Sequence, residues 1–80
     1  MKMRAKFVVQ KIDTPWLLAE RLTLSAVTDA PFDGDGNSED NTYSKWTPDG
    51  TLKITVTNPA LVGTFKEGEK YYLDFTLATA

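Results

Sequence analysis

Alternation of apolar and polar residues with a period of two is the feature that most constrains the fold of this sequence. In the run TLKITVT, at 51–57, Leu52, Ile54 and Val56 alternate with threonine and lysine. Successive side chains of a strand point to opposite faces, so this pattern is typical of a strand with one buried face. It predicts an all-β protein whose clearest strand is 51–57.

Three further segments are predicted to be strands of the same sheet. Segments 3–12 and 71–77 repeat the alternation at the two ends of the chain. Segment 16–28 contains LLAERL, which favours helix by propensity. The apolar residues Leu18, Leu22, Leu24 and Ala26 nevertheless keep even spacing. The β-branched residues of the segment also favour a strand, so we interpret it as the second strand of a hairpin. The residues expected to be nearly fully buried in the shared core are Leu24, Ile54, Val56, Leu73 and Phe75.

The remaining segments predict the order of elements. A short strand at 43–46 precedes the turn signal TPDG, and Asn58-Pro59 suits the start of a short helical turn that Gly63 ends. The order is therefore β-β-β-β-helical turn-β. Because so small an antiparallel sheet must curl over its own core, we predict a five-stranded antiparallel barrel of SH3-like order, with an OB-like barrel as the alternative.

The length of the chain favours association with a partner. Eighty residues make one small domain, 1–80, with 41% hydrophobic residues, which is enough for a core. A domain of this size buries only about 60–65% of the surface that its unfolded chain exposes. The sequence contains no cysteine, so no disulfide stabilises it. Small scaffolds often gain stability by oligomerising, and we expect the same here.

Charge and hydropathy exclude several classes of partner. The net charge of −2 disfavours nonspecific binding to duplex DNA, which requires an excess of lysine and arginine. No apolar run approaches the roughly 20 residues of a membrane span. The opening MKMRAKFVVQ alternates charged and apolar residues, unlike a signal peptide. We therefore expect a cytosolic protein that does not bind membranes.

The sequence also contains no histidine, which together with the lack of cysteine removes most nucleophile–base pairs and most zinc sites. Glu67 and Glu69 could in principle form a catalytic carboxylate pair, but they flank Gly68 in a turn that is expected to be solvated. We predict a protein that is not an enzyme and holds no cofactor. Asp74, within an apolar strand, is expected to face outward opposite Lys53 or a similar partner.

The acidic segment 29–41 is predicted to be a solvated loop that is mobile at Gly34–Asp40, because its carboxylates, glycines and proline cannot bury apolar surface. Its oxygen donors have short spacing and form a weak candidate set for a cation. Alignment with a calcium-binding loop, however, puts Ser38 where glycine belongs and Ser44 where a bidentate glutamate belongs. The members of the candidate set are Asp33, Asp35, Asn37 and Asp40.

Basic and aromatic residues on the exposed strand faces could form a binding platform. Such platforms bind single-stranded nucleic acid by stacking bases on rings and attracting phosphates to cations. Alternatively, the cations, with Lys2 among them, solubilise an edge strand, and the tryptophans cover the ends of the barrel. The candidate binding residues are Arg4, Lys6, Arg21, Lys45, Lys53, Trp16, Trp46 and Tyr72.

Several motifs resemble a known group of proteins. They are Arg4-Ala5-Lys6-Phe7, Leu22-Thr23-Leu24-Ser25-Ala26-Val27, the stretch SKWTPDGTLKITVTNPA from Ser44 to Ala60, and the ending in which Phe65, Gly68, Tyr71-Tyr72 and Asp74-Phe75-Thr76 follow one another. With them the chain resembles, over nearly its whole length, short uncharacterised proteins of tailed bacteriophages and prophages. The resemblance implies a phage product made in a bacterial cell, and it assigns no functional residues.

These observations lead to competing functions. We expect a phage structural or interaction protein that forms a homo-oligomer or docks on a larger phage assembly, in the bacterial cytoplasm or on the virion. Trp16, Phe32 or Trp46 would anchor the contact. The alternative is a binding protein for a nucleotide or single-stranded nucleic acid, including an antagonist of host defence. A third possibility is an inhibitor whose acidic loop mimics phosphate charge.

Overall fold

The computed structural model of the chain describes residues 3–79. Lys2, one of the cations predicted to solubilise an edge strand, lies outside the described residues. Four strands form one curled antiparallel sheet in the order β3-β2-β1-β4. This confirms the predicted all-β class. The strands are β1 (Met3–Asp13), β2 (Glu20–Ala26), β3 (Thr51–Val56) and β4 (Lys70–Phe75).

The predicted hairpin between the first two strands is present, with one irregularity. The register of β1 against β2 slips between Val9 and Lys11, so Gln10 is an extra residue in β1. Such a bulge resets the alternation, and as a result Val9 and Ile12 face the same side of the sheet. Before β2, the chain turns at Leu18, which has a φ of 64°, and strand pairing begins only at Glu20.

One face of the sheet carries the core. Buried residues of the two central strands form it, and apolar residues of both edge strands pack beside them. The prediction of near-complete burial is confirmed for Leu24. It is wrong for Val56 and Leu73, which are only partly buried, and for Ile54 and Phe75, which are 48% and 49% exposed. All four lie on edge strands, where no neighbouring strand on the open side shields their side chains from solvent. The buried members of the cluster are Ala5, Phe7, Val9, Leu22 and Leu24.

The fifth strand predicted at 43–46 does not form, so the sheet is an open half-barrel, not the expected five-stranded one. Trp46 adopts a φ of 61°, and its N–H donates to the carbonyl of Gly36 at 2.7 Å instead of joining a ladder. At the predicted helical turn, Asn58 accepts the N–H of Ala60 with its side chain, and its carbonyl accepts from Val62. This segment is a hydrogen-bonded turn, and no helix occurs within residues 3–79.

Two long connections cover part of the core face. The connection at 57–69 lays Phe65 against the core, with its ring edge-on to Tyr71 at 5.6 Å between centroids. The connection at 27–50 contributes Tyr43 from the other end of the sheet. The Tyr43 hydroxyl is buried without a hydrogen-bond partner among the described residues, and burial raises its pKa.

The resulting chain is flat. Its extents are 48 × 34 × 16 Å, and its radius of gyration is 14.5 Å. A compact domain of this length has a radius of gyration of about 12 Å. The difference reflects a single sheet that is covered in part on one side and has β3 and β4 as open edges.

The burial pattern yields a test of the core. Leu24 is 4% exposed and Leu17, in the turn before β2, is 84% exposed. We expect Leu24→Ala to lower the free energy of unfolding by about 2–5 kcal/mol, because it removes buried methyl groups and leaves a cavity. Leu17→Ala, the same chemical change, should alter it by less than about 0.5 kcal/mol. Urea denaturation followed by circular dichroism measures both, and equal losses would contradict the assigned core.

Candidate functional site

The face of the sheet opposite the core carries a cluster of charged and aromatic residues from β1 and β4. In the register of these strands, Arg4 lies opposite Asp74 and Lys6 opposite Tyr72. The alternation of the strands places all four side chains on the same side, which we name the outer face. Three of the predicted binding residues are therefore brought together.

Arg4 is held by two neighbours on β4. Its Nε donates to Oδ1 of Asp74 at 2.7 Å and its Nη2 donates to Oδ2 at 3.2 Å, so the two side chains form a bidentate ion pair. Its guanidinium also lies over the Tyr72 ring, 4.4 Å from the centroid. Hydrogen bonding to Asp74 raises the pKa of Arg4 and lowers the pKa of the carboxyl. Asp74 faces outward as expected, with Arg4 and not Lys53 as its partner.

Lys6 forms ion pairs with the connection at 27–50, which contains the acidic segment and which we name the acidic connection. Its Nζ lies 2.8 Å from Asp29 and 3.5 Å from Asp40, and only 17% of its side chain is exposed. The hydrogen bond with Asp29 raises the pKa of Lys6, despite an opposing effect of burial. Lys70 approaches the same Asp29 oxygen at 2.9 Å. Two lysines of the outer face thus share one carboxylate.

Asp40 is the buried centre of this cluster. Its carboxylate accepts hydrogen bonds from the N–H groups of Asp29 and Ala30 and from the Tyr72 hydroxyl, each at 2.9 Å. Burial alone raises the pKa of Asp40, but these donors and the charge of Lys6 outweigh it and lower the pKa to about 2. The hydrogen bond that the Tyr72 hydroxyl donates to Asp40 raises the pKa of Tyr72.

Asn41, next along the chain, fastens the connection to the edge of β1 beyond the end of β2. Its side-chain oxygen accepts the N–H of Lys6 at 2.9 Å, and its amide donates to Val27 and Thr28 at 2.9 and 2.8 Å. Thr42 then exchanges two hydrogen bonds with the backbone of Arg4. Sequence reasoning missed Asn41, because an asparagine in an acidic, glycine-containing run also suits a solvated loop.

The tip of the acidic connection folds on itself. Oδ1 of Asp33 accepts the N–H groups of Asp35 and Asn37 at 2.8 and 2.9 Å, and its other oxygen accepts the amide of Asn37 at 3.2 Å. These hydrogen bonds lower the pKa of Asp33, and the backbone N–H of Asn37 makes the largest contribution. The Trp46 indole lies over Gly36, and Phe32 packs beside it with ring centroids 5.9 Å apart.

The expectation of a solvated loop at 29–41 is therefore wrong in part. The stretch 31–35 is exposed, whereas Ser38, Asp40 and Asn41 are buried. The candidate cation donors do not converge either, since Asp33 bonds to its own loop and Asp40 to Lys6 and Tyr72. Within residues 3–79, no group of three acidic side chains lies together in a way that could hold a metal ion.

The other predicted binding residues lie apart from the cluster. Arg21 and Lys53 are on the outer face of β2 and β3, where Nε of Arg21 donates to Oγ1 of Thr55 at 3.3 Å. Lys45 and Trp46 belong to the acidic connection, and Trp16 belongs to the turn before β2. The predicted platform is therefore divided among separate parts of the surface.

The arrangement at the outer face is suited to holding structure more than to chemistry. The cations of Arg4, Lys6 and Lys70 each contact a carboxylate, and the Tyr72 hydroxyl already donates to Asp40. An open groove of about 580 Å³ runs beside Arg4 and Asp74, between the acidic connection and the end of β4. Its lining mixes polar and apolar residues: Met3, Arg4, Glu39, Thr42, Asp74, Phe75 and Thr76.

Comparisons with known proteins give no match: no family model, no curated protein and no solved structure is similar to this chain. Among the residues that the structure describes, no helix is long and apolar enough to cross a membrane.

The environment of Asp40 predicts how stability depends on pH. A carboxyl whose pKa is lowered by folding stabilises the protein above its ordinary pKa, and the contribution is lost as the pH falls towards about 2. We expect Asp40→Asn to lower the free energy of unfolding by about 2 kcal/mol at neutral pH. The difference from the unmodified protein should shrink between pH 5 and pH 2.

Urea unfolding at a series of pH values measures this effect. Glu39→Gln, which removes the same charge from the exposed neighbouring residue, is the control and should follow the unmodified protein. A difference for Asp40→Asn that stays constant down to pH 2 would show that the charge of Asp40 does not stabilise the fold.

The close packing at Gly36 predicts a second effect. Gly36 has a φ of 83°, and a Cβ there would lie 2.5 Å from the Trp46 indole nitrogen. Gly36→Ala should therefore destabilise the protein by about 1–3 kcal/mol and shift the fluorescence of Trp46. Gly34→Ala is the matched control, since a Cβ at Gly34 meets nothing within 4 Å. Equal effects of the two substitutions would rule out the packing of Trp46 on this loop.

Proposed function

We propose that this chain is a non-catalytic interaction module, a phage structural protein that assembles with copies of itself or docks on a larger phage assembly. The observation that carries the proposal is the half-covered core face of a sheet whose two edges are open. A sheet normally buries its apolar face against another layer or closes on itself. The described chain does neither completely.

Apolar exposure on this chain supports the proposal. Ile54 and Phe75 belong to the core face by alternation and are about half exposed. An apolar residue left exposed on an unpaired edge strand invites association, and small scaffolds gain stability by association. The anchors expected from the sequence are also accessible, because Trp16, Phe32 and Trp46 are all exposed.

The state of the polar groups supports a non-catalytic role. The buried acid Asp40 is charged and held by four donors, so it cannot readily exchange a proton near neutral pH. Folding raises the pKa values of Tyr71 and Tyr72, which makes their hydroxyls poorer nucleophiles at neutral pH. This chemistry fits a scaffold.

The resemblance to short phage proteins supports the biological setting of the proposal. The motifs that carry it include residues of all four strands together with parts of the two long connections. We place the protein in the cytoplasm of a bacterial host or on the virion.

A second candidate is binding of a nucleotide or single-stranded nucleic acid, with antagonism of host defence as one use of it. The favouring observation is that Arg21 and Lys53 share the outer face and make no ion pair with the described residues. Arg4 and Lys6 would have to exchange Asp74 and Asp29 for phosphate, which weakens their contribution.

Solution mass tests the first proposal. We expect sedimentation velocity across the micromolar range to give a mass above that of one chain, falling on dilution. Ile54→Ser should lower the mass towards a monomer, because it puts a hydroxyl on the uncovered core face. Leu17→Ser places the same group on the exposed turn and should leave the mass unchanged.

A monomer at every concentration would remove self-assembly and leave docking on another phage protein. Binding of a labelled oligonucleotide that falls steeply with salt, and that Lys53→Glu weakens, would instead support the second candidate.

A further inference from the structure

The open edge of β3 presents a defined set of backbone groups. The N–H of Ala26 donates to the carbonyl of Gly50 at 3.0 Å, in step with the register of β2 against β3. In an antiparallel ladder, alternate residues direct their backbone groups towards the neighbouring strand. The groups of Leu52, Ile54 and Val56 therefore face β2. Those of 51, 53 and 55 point away from the sheet.

The open edge of β4 has the complementary arrangement. The N–H of Val9 donates to the carbonyl of Glu69 at 2.8 Å, in step with the register of β1 against β4. Alternation then directs the backbone groups of Tyr71, Leu73 and Phe75 towards β1. The groups of 70, 72 and 74 point away from the sheet. On both edges, the residues with outward backbone groups carry their side chains on the outer face.

These two edges fit each other when they run antiparallel. If Lys53 lies opposite Asp74 of another copy, the outward backbone N–H and C=O groups of β3 face those of β4 along the whole overlap. Apolar side chains then meet apolar side chains on the core face, and polar ones meet on the outer face. The core-face pairs are Leu52 with Phe75, Ile54 with Leu73, and Val56 with Tyr71, and the outer-face pairs are Lys53 with Asp74 and Thr55 with Tyr72.

Registers shifted by two residues keep the same side chains on the core face, but they form fewer apolar pairs there. A shift of two residues in one direction places Val56 opposite Glu69 and leaves Phe75 opposite Gly50. A shift in the other direction places Leu52 opposite Leu77, which lies beyond the end of β4, and leaves Tyr71 opposite Asn58 beyond the end of β3. The register that joins Lys53 to Asp74 is the one that pairs all three core-face residues of both strands.

Charge complements this fit. Lys53 makes no ion pair with the described residues, although it lies in the middle of an edge strand. Asp74 is bonded to Arg4 but is more than half exposed, and a carboxylate can accept further hydrogen bonds. Opposite charges directly across a strand pair stabilise it, as does a β-branched residue such as Thr55 opposite an aromatic one such as Tyr72.

We propose that two copies of this chain join through two equivalent β3–β4 seams to form one closed eight-stranded antiparallel sheet. This inference rests on the proposed function, whose self-assembly it specifies. Since β3 and β4 run in opposite directions within the chain, a twofold axis along the barrel makes both seams antiparallel. Eight strands are enough for a closed sheet whose interior side chains fill. Closure leaves neither copy with an open edge, and it covers Ile54 and Phe75.

Disulfide trapping tests the seam and its register, and the natural absence of cysteine makes the experiment clean. In the proposed register, Leu52 and Phe75 of the partner form a non-hydrogen-bonded pair with Cα atoms about 4.5 Å apart, which a disulfide can bridge. The double variant Leu52→Cys/Phe75→Cys should therefore form a covalent dimer on mild oxidation. It cannot form the bond within one chain, because β2 and β1 lie between the two edges.

The matched control moves one cysteine by two residues. In Ile54→Cys/Phe75→Cys, the two positions are diagonal neighbours with Cα atoms about 7–8 Å apart, too far for an unstrained disulfide. This variant should remain largely uncrosslinked. Equal trapping of both variants, or a ladder of products larger than a dimer, would overturn the closed pair.

A charge reversal gives a second measurement that does not depend on introduced cysteines. Lys53→Glu places like charges opposite each other at both seams and should weaken the dimer about tenfold or more in sedimentation. Lys11→Glu makes the same change on an exposed residue of the central strand β1 and should have little effect. Equal weakening by the two variants would overturn the seam even if the cysteine variants failed to fold.

The unmodified chain separates failure of this inference from failure of the proposed function. An oligomer that yields no Leu52→Cys/Phe75→Cys dimer would overturn the β3–β4 seam and leave self-assembly standing. A monomeric unmodified chain would overturn both the seam and self-assembly.

Discussion

Asp40 and Asn41 hold the structure of the acidic connection, and the outer face depends on them. Their hydrogen bonds to 29, 30 and the edge of β1, together with the two between Thr42 and Arg4, fix the long segment between β2 and β3 on the sheet. Their side chains can be buried because each side-chain nitrogen and oxygen has a hydrogen-bond partner, and the charge of Lys6 compensates that of the Asp40 carboxylate. The same two residues orient Lys6 and Tyr72, so the polar cluster is a consequence of anchoring the connection. A segment that reads as solvent-exposed by composition is thus part of the fold.

The strands could be predicted from the sequence because their signal is local. Alternation identifies β1, β3 and β4 to within one or two residues, and it assigns Ala5, Phe7 and Val9 to the buried face. The errors fall where the chain adopts backbone conformations that its residues rarely take. Leu18 and Trp46 have positive φ, a region usually left to glycine or asparagine, so neither LLAERL nor YSKW signals the turn it makes.

The candidate site was less predictable, because its contacts depend on register and on a buried polar anchor. Arg4 and Asp74 are distant in sequence and meet only because β1 pairs with β4 in one register. Basic residues on a strand suggest a site for anions, yet here three of the cations neutralise carboxylates of the same chain. Composition fixes neither the partner of a charge nor its burial, and so a predicted platform for phosphates proved to be, in large part, an internal network.

The exposure of Ile54 and Phe75 connects these observations. Their alternation is that of strands with one fully buried face, whereas the single chain leaves that face partly open at both edges. An unpaired apolar edge strand invites association, so the two open edges are the parts of the sheet that a partner would cover. The edges of this chain differ in sequence, but their opposite directions, their parity and their opposite charges suit antiparallel pairing, with Lys53 on one edge and Asp74 on the other. Pairing between copies would thus complete the burial that the sequence encodes, and it would do so without disturbing the polar cluster that secures the outer face.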